Sequence, residues 1–155
     1  MIYTNNINYG GTSMRLWHQS LLPYLDNRRI LGQHRECCAL RGRGWGKRSS
    51  VINYIYDEGP ESLVAYHIIV MHEMLRRGYH PNNLWCNVFY RGPILGMDEN
   101  FVNVYKVNEL YKDKRHNVFK YHNNDYLQQC LDNLHSKGVT ISFKGDMYNG
   151  NEYQL

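Results

Sequence analysis

The stretch PESLVAYHIIVMHEMLRRG, residues 60–78, narrows the possible folds more than any other part of the chain. Pro60 and Glu61 suit the first turn of a helix, where a missing N–H costs nothing and an acid meets the positive end of the helix dipole. Leu63, Val64, Ile68, Met71, Met74 and Leu75 recur at helical spacing, and Arg76, Arg77 and Gly78 form the exit. A second helix is predicted over Asn27–Arg41, with Asp26 as N-cap and Gly42 just past the end. A third, NNDYLQQCLDNLHSKG, has Leu127, Cys130, Leu131 and Leu134 on one stripe, Asn124 as N-cap, and Lys137 and Gly138 at its end. Strand text is sparse: VTISF reads as one short strand, and VINYIYDEGP stays open between strand, irregular and helical structure. Residues 79–120 read as aromatic, loop-like text broken by Pro81, Gly92, Pro93 and Gly96. The expected fold is mainly α, a compact single-domain helical fold with long ordered loops.

A length of 155 residues suits one domain with a real core. Residues 1–13 are polar, rich in Asn and Gly, and without periodicity, so they are expected to form a flexible N-terminal extension to a single domain over 14–155. No run of 18 apolar residues occurs, and the first residues have neither a charged leader nor an apolar core, so no membrane span or secretory signal is expected. Cys37, Cys38, Cys86 and Cys130 include no CxxC spacing, and two are adjacent. They read as reduced, mostly buried thiols of a cytoplasmic protein, with no metal and no cofactor expected.

Charge is the second constraint. Seven basic residues (Arg28, Arg29, Arg35, Arg41, Arg43, Lys47 and Arg48) stand in one segment against a single acid, Glu36, so this segment alone exceeds the net +4 of the chain. A concentrated patch attracts phosphates more than a diffuse charge of the same size. RGRGWGKRSS reads as a glycine-rich basic loop whose bare backbone a ligand could approach, though its spacing is not that of a nucleotide-binding GxxxxGK[ST] loop. Arginine, glycine and Trp45 interleaved point to nucleic acid. The candidate contacts are Arg28, Arg29, His34, Arg41, Arg43, Trp45, Lys47 and Arg48. His34 taken alone reads more readily as a packed helix histidine than as an acid or base.

Glu36 stands apart. On a helix its neighbours are Arg29, Gly32, Gln33, Ala39 and Leu40, with no Lys or Arg at i±3 or i±4 to pair with. Gly32 leaves space beside the carboxylate, while Arg35 points about 100° away. This resembles an acid on the floor of an open groove rimmed by arginines.

MRLWHQ, then LGQHRE about twenty residues on, then a helix ending MLRRGY, together resemble the pyrimidine-dimer DNA glycosylases of the phage endonuclease V type and their bacterial relatives of unassigned activity. The likeness runs roughly from Met14 to Asn82 and more faintly to DYLQQCLDNL. It implies an endonuclease V-like helical fold and a DNA repair glycosylase with AP-lyase activity. In that chemistry a free α-amine attacks the sugar C1′ at a damaged base, forms an imine and leads to strand cleavage. The resemblance implies Glu36 as the group that stabilises the cationic sugar and shuttles a proton, and Arg35 as a phosphate holder. It puts the initiator on Met14 and the nucleophilic position on Arg15, so the amine requires a chain that starts or is processed at Met14. The implied partner is damaged double-stranded DNA, with no membrane partner and the chain acting as a monomer. Two other readings stand beside it: a non-catalytic nucleic-acid or nucleotide-binding protein that keeps the basic groove, and a helical interaction protein whose basic loop meets an acidic partner.

Overall fold

The computed structural model describes residues 15–143, and the fold over them is mainly helical. A 3-10 turn, Gln19–Tyr24, leads into α1 (Asn27–Arg41), followed by α2 (Tyr54–Glu58), α3 (Pro60–Arg76), a 3-10 turn at Asn83–Cys86, α4 (Gly92–Leu95), α5 (Val104–Lys112) and α6 (Asn124–Ser136). The expected extension over residues 1–13, Met14, and residues 144–155 lie outside the described residues.

Local chemistry explains the long helices. Asp26 accepts the Arg29 N–H at 2.8 Å and opens α1, and Gly42 closes it by donating to the Cys38 and Ala39 carbonyls. Pro60 starts α3. This helix is buried on more sides than its apolar stripe indicates: Ala65, Tyr66, His67 and Val70 are inside, while Leu75 is half exposed. It lies between α1 and α5, which explains why a single stripe does not suffice. α6 docks through Tyr126, Leu127, Cys130 and Leu134 onto the same hydrophobic cluster.

Three sequence expectations need correction, and one open segment is settled. VTISF is not a strand: among the described residues the chain beyond Gly138 is irregular, has no neighbouring strand to pair with, and buries Phe143 edge-on against Tyr24. The supposed loop over 79–120 contains α5, opened by Asn103, whose side chain accepts from the Tyr105 and Lys106 N–H groups. Only Val107 of that helix is fully buried, so the apolar signal was thin. VINYIYDEGP resolves to the short helix α2. The N-cap of α6 is Asn123, which accepts from Tyr126, one residue before the expected Asn124.

A buried polar network fixes the entering segment, residues 15–18. Gln33 on α1 accepts the Trp17 N–H at 2.6 Å and donates to the Arg15 carbonyl at 3.0 Å. The Tyr66 hydroxyl meets the Trp17 carbonyl, and the Tyr126 hydroxyl donates to the Leu16 carbonyl at 2.6 Å. Behind them the Gln19 N–H donates to His122 Nδ1, so that ring carries its proton on Nε2 and gives it to the Tyr54 hydroxyl at 2.7 Å. Burial holds both His122 and the stacked His18 well below the usual histidine range, His18 at about 4.

Candidate active site around Glu36

Gln33 and Glu36 are one helical turn apart, so the carboxylate lies next to the residue that grips the backbone of Arg15. Burial alone pushes the Glu36 carboxyl up to about 7. Its Oε2 is buried without a hydrogen-bond partner, and among the described residues no ion pair reaches it. A buried carboxyl oxygen with nothing to accept from costs stability, and a fold tolerates that mainly where a ligand completes the set.

Two groups of cations lie toward the two ends of α1. On the Gln33 side stand Arg15, Arg29 and Lys137. The Lys137 ammonium is depressed by burial, then by Arg29 and Arg15, and both Arg15 and Lys137 lie 5.8 Å from the centre of a Trp17 ring. Arg29 is also paired with Asp26 at 2.7 Å. On the other side are the exposed Arg43, Lys47 and Arg48. The Tyr56 hydroxyl, pushed up by burial, lies within the fields of both Arg48 and Glu36, and the Arg48 guanidinium sits 5.5 Å from its ring centre. Lys137 went unnoticed in the sequence, where it served only as the end of α6; nothing local marks that tertiary packing brings it to Arg15.

Arg28 and Arg35 are exposed on α1. Trp45 is half-buried, its ring edge-on to Tyr56 and Phe101. The loop glycines serve the fold more than a ligand: a Cβ on Gly44 would meet the Ala39 carbonyl oxygen at 2.7 Å, so its bare face is turned to α1. Gly32 is different. A Cβ there would meet only the Arg35 guanidinium at 3.8 Å, which leaves the space beside Glu36 open. Gly32→Ala is therefore expected to stabilise the fold by about 0.5–1 kcal/mol, from the helix propensity alone. Thermal denaturation checks this; a lower melting temperature would mean that the space is needed by the fold itself.

Arg41 requires a correction. It was expected on nucleic acid, yet it is fully buried. Its guanidinium donates to the Trp85, Asn87 and Tyr90 carbonyls at 2.8–3.0 Å and to His67 Nδ1 at 3.0 Å. Arg41 therefore ties residues 85–90 to the end of α1. His34 turns away as well: two residues before Glu36, it lies about 200° around the helix. Its Nδ1 is 2.8 Å from His67 Nε2, so it belongs to this second cluster.

That cluster, His34, Cys38 and His67, has ligand atoms within 4.8 Å of one another, close enough for a metal. Its hydrogen bonding argues against one. Arg41 can only donate, so His67 Nδ1 is the acceptor and Nε2 carries the proton, which it gives to His34 Nδ1. His67 has no free lone pair for an ion unless Arg41 withdraws. Burial and the nearby guanidinium hold His67 neutral, and burial pushes the Cys38 thiol up to about 12. All four cysteines are free thiols; Cys37 and Cys130 are buried, Cys38 is half-buried and Cys86 is exposed.

Two cavities of about 250 Å³ lie elsewhere, one beside the Gln19–Tyr24 turn and the end of α5, the other along α6 at Val139–Ile141. Glu36 lines neither. Among the described residues no helix is long and apolar enough to cross a membrane. Residues 14–87 match the family model described as pyrimidine dimer DNA glycosylase. No curated protein and no solved structure matches the chain.

Proposed function

Because residues 14–87 match the family model of the pyrimidine dimer DNA glycosylases, we propose that this protein removes damaged, pyrimidine-dimer-like bases from double-stranded DNA and nicks the strand as an AP lyase. The observation that carries the reading is the buried, unpartnered Oε2 of Glu36, whose carboxyl is raised by burial with no cation of the protein offsetting it. The partner this carboxyl lacks is a cation that arises only during the reaction.

In this mechanism the α-amine of a chain that starts at Met14 attacks C1′ of the damaged nucleotide, and the bond from C1′ to the base breaks. An α-amine with an ordinary pKa near 7.7–8.0 keeps a nucleophilic fraction of roughly 10% at neutral pH, which a lysine cannot match. Glu36, ionising near neutrality, delivers a proton to the ring oxygen as the sugar opens and, once ionised, faces the resulting iminium. Loss of a C2′ proton then expels the 3′ phosphate by β-elimination. Arg35 and the exposed loop cations hold the backbone phosphates. Gln33 supports the geometry, since it holds Arg15 one turn from Glu36.

Borohydride reduction of the imine tests this. A chain beginning at Met14, incubated with abasic-site DNA, is expected to yield a covalent adduct that mass spectrometry locates on its first residue. Absence of the adduct from that form rules out the lyase chemistry. A second reading, a non-catalytic DNA-binding protein, rests on Met14 being an internal residue of the 155-residue chain, where its nitrogen is an amide. It predicts salt-dependent binding of the full chain with no product.

A further inference from the structure

A stiff, solvent-facing apolar tip stands beside the basic loop. Its arms are Phe89–Arg91 and 96–98: the Asp98 N–H donates to the Phe89 carbonyl at 2.9 Å, the Arg91 N–H donates to the Gly96 carbonyl at 2.8 Å, and Tyr90 pairs with Met97 in an antiparallel bridge. The tip itself is α4, a single turn closed by the Gly96 N–H on the Gly92 carbonyl at 2.8 Å. Gly92 and Gly96 frame it at φ of 99° and 67°, values that side chains rarely adopt.

The base is bolted down by Arg91. Its Nε donates to the Arg41 carbonyl at 2.8 Å, one Nη donates to the Gly42 carbonyl at 3.2 Å, and the guanidinium lies 4.1 Å from the centre of the Phe101 ring. On this pedestal Ile94 is 71% exposed and Leu95 42%, with Met97 and Leu84 also half in solvent. So many hydrogen bonds spent on presenting bare aliphatic side chains to water calls for an occupant.

The surroundings of the tip favour nucleic acid over protein. The pedestal joins the chain at Gly42, where the loop bearing Arg43, Lys47 and Arg48 begins, and among the described residues none of these three cations forms an ion pair. Four side chains cannot supply the roughly 800 Å² that each partner buries in a stable protein interface. Aliphatic residues flanked by arginine and lysine do have the makeup of wedges that part base steps from the minor groove.

We propose that Ile94 and Leu95 form a wedge that enters the minor groove of duplex DNA and unstacks a base step, while Arg43, Lys47 and Arg48 hold the adjoining phosphates. This rests on the DNA-directed reading above and gives the tip a task in it: an opened step lowers the cost of bringing a damaged base out of the stack.

The test uses duplexes that carry an abasic-site analogue and a 2-aminopurine, whose fluorescence rises on unstacking, placed at successive positions around it. The wild type is expected to raise the signal at one step. The exposed double variant Ile94→Gln/Leu95→Gln is expected to bind about tenfold more weakly, with an unchanged salt slope and no rise. The wedge is overturned if bound wild type gives no rise, if the variant keeps it, or if sedimentation finds a wild-type dimer that the variant loses, which would make a second copy the occupant. Failure of the DNA reading itself looks different. The wild type would then bind no duplex at low salt, or neutralising Arg43, Lys47 and Arg48 would leave binding untouched; either result overturns both.

Discussion

At pH 8 the Glu36→Gln protein is expected to melt roughly 5–10 °C above the wild type, while its trapped adduct with abasic DNA falls by two to three orders of magnitude. Both effects come from the same buried oxygen. The folded Glu36 carboxyl ionises at about 7, whereas an unfolded glutamate ionises near 4.5. Between those values the folded state holds a proton that the unfolded state has released, so stability falls as pH rises through this window and stays low above it. A shift of this size, discounted for the part of the side chain that reaches solvent, corresponds to about 2–3 kcal/mol at pH 8. Glutamine cannot ionise and carries none of that cost. The gap in melting temperature should therefore open between pH 4.5 and 7 and vanish below pH 4.5. The buried histidines lose stability in acid equally in both proteins, so they cancel in the difference. Equal melting of the two proteins at pH 8 would mean that Glu36 is solvated and relaxed, and would remove the physical basis for its role. A variant more stable and less active than its parent marks a group retained for chemistry rather than for the fold.

The main helices were legible because their signals are local. Asp26 as a cap, Arg41 and Gly42 at the exit, and Pro60 at an entry act within a few residues of themselves, and the observed bounds of α1 and α3 follow them. The elements that were missed are those whose stability is supplied from a distance. α5 hides its single fully buried side chain, Val107, among polar residues, and VTISF has β-forming composition with no strand beside it. At the site, the lack of a local partner for Glu36 could be read from helix spacing, since i±3 and i±4 are fixed by the helix itself. The depth of its burial could not, because burial is set by tertiary packing that helix spacing does not fix.

Arginine is where composition misled most. One basic cluster in the sequence contains two physical classes: Arg43, Lys47 and Arg48 face solvent, and Arg41 has no exposed surface at all. The sequence alone does not separate them, because both kinds sit within a few residues of the same helix end. What decides Arg41 is a segment more than forty residues away that turns three carbonyls toward it.

Replacing Arg41 therefore separates the two classes by experiment. Arg41→Met keeps most of the aliphatic volume and removes every donor. The Trp85, Asn87 and Tyr90 carbonyls lose their buried partner, His67 Nδ1 loses its donor, and the contact with the Trp85 ring, 5.1 Å from the guanidinium carbon, goes as well. Each orphaned group costs about 1–3 kcal/mol, less whatever relaxation recovers, so a net destabilisation of about 4 kcal/mol or more is expected. That is a large share of a typical domain's stability. Arg41→Lys should recover little, because one ammonium on a single stem cannot span three carbonyls and an imidazole as the planar fork does. Amide exchange localises the damage: protection should fall first over residues 85–91, and with it the footing of the apolar tip, whose Arg91 clasps the Arg41 carbonyl. A phosphate contact would behave in the opposite way. Neutralising it would leave the melting temperature within about 1–2 °C of the wild type and flatten the salt dependence of DNA binding by about one unit of slope. If Arg41→Met gives that second pattern, the buried arrangement is wrong and the residue returns to the DNA-facing set.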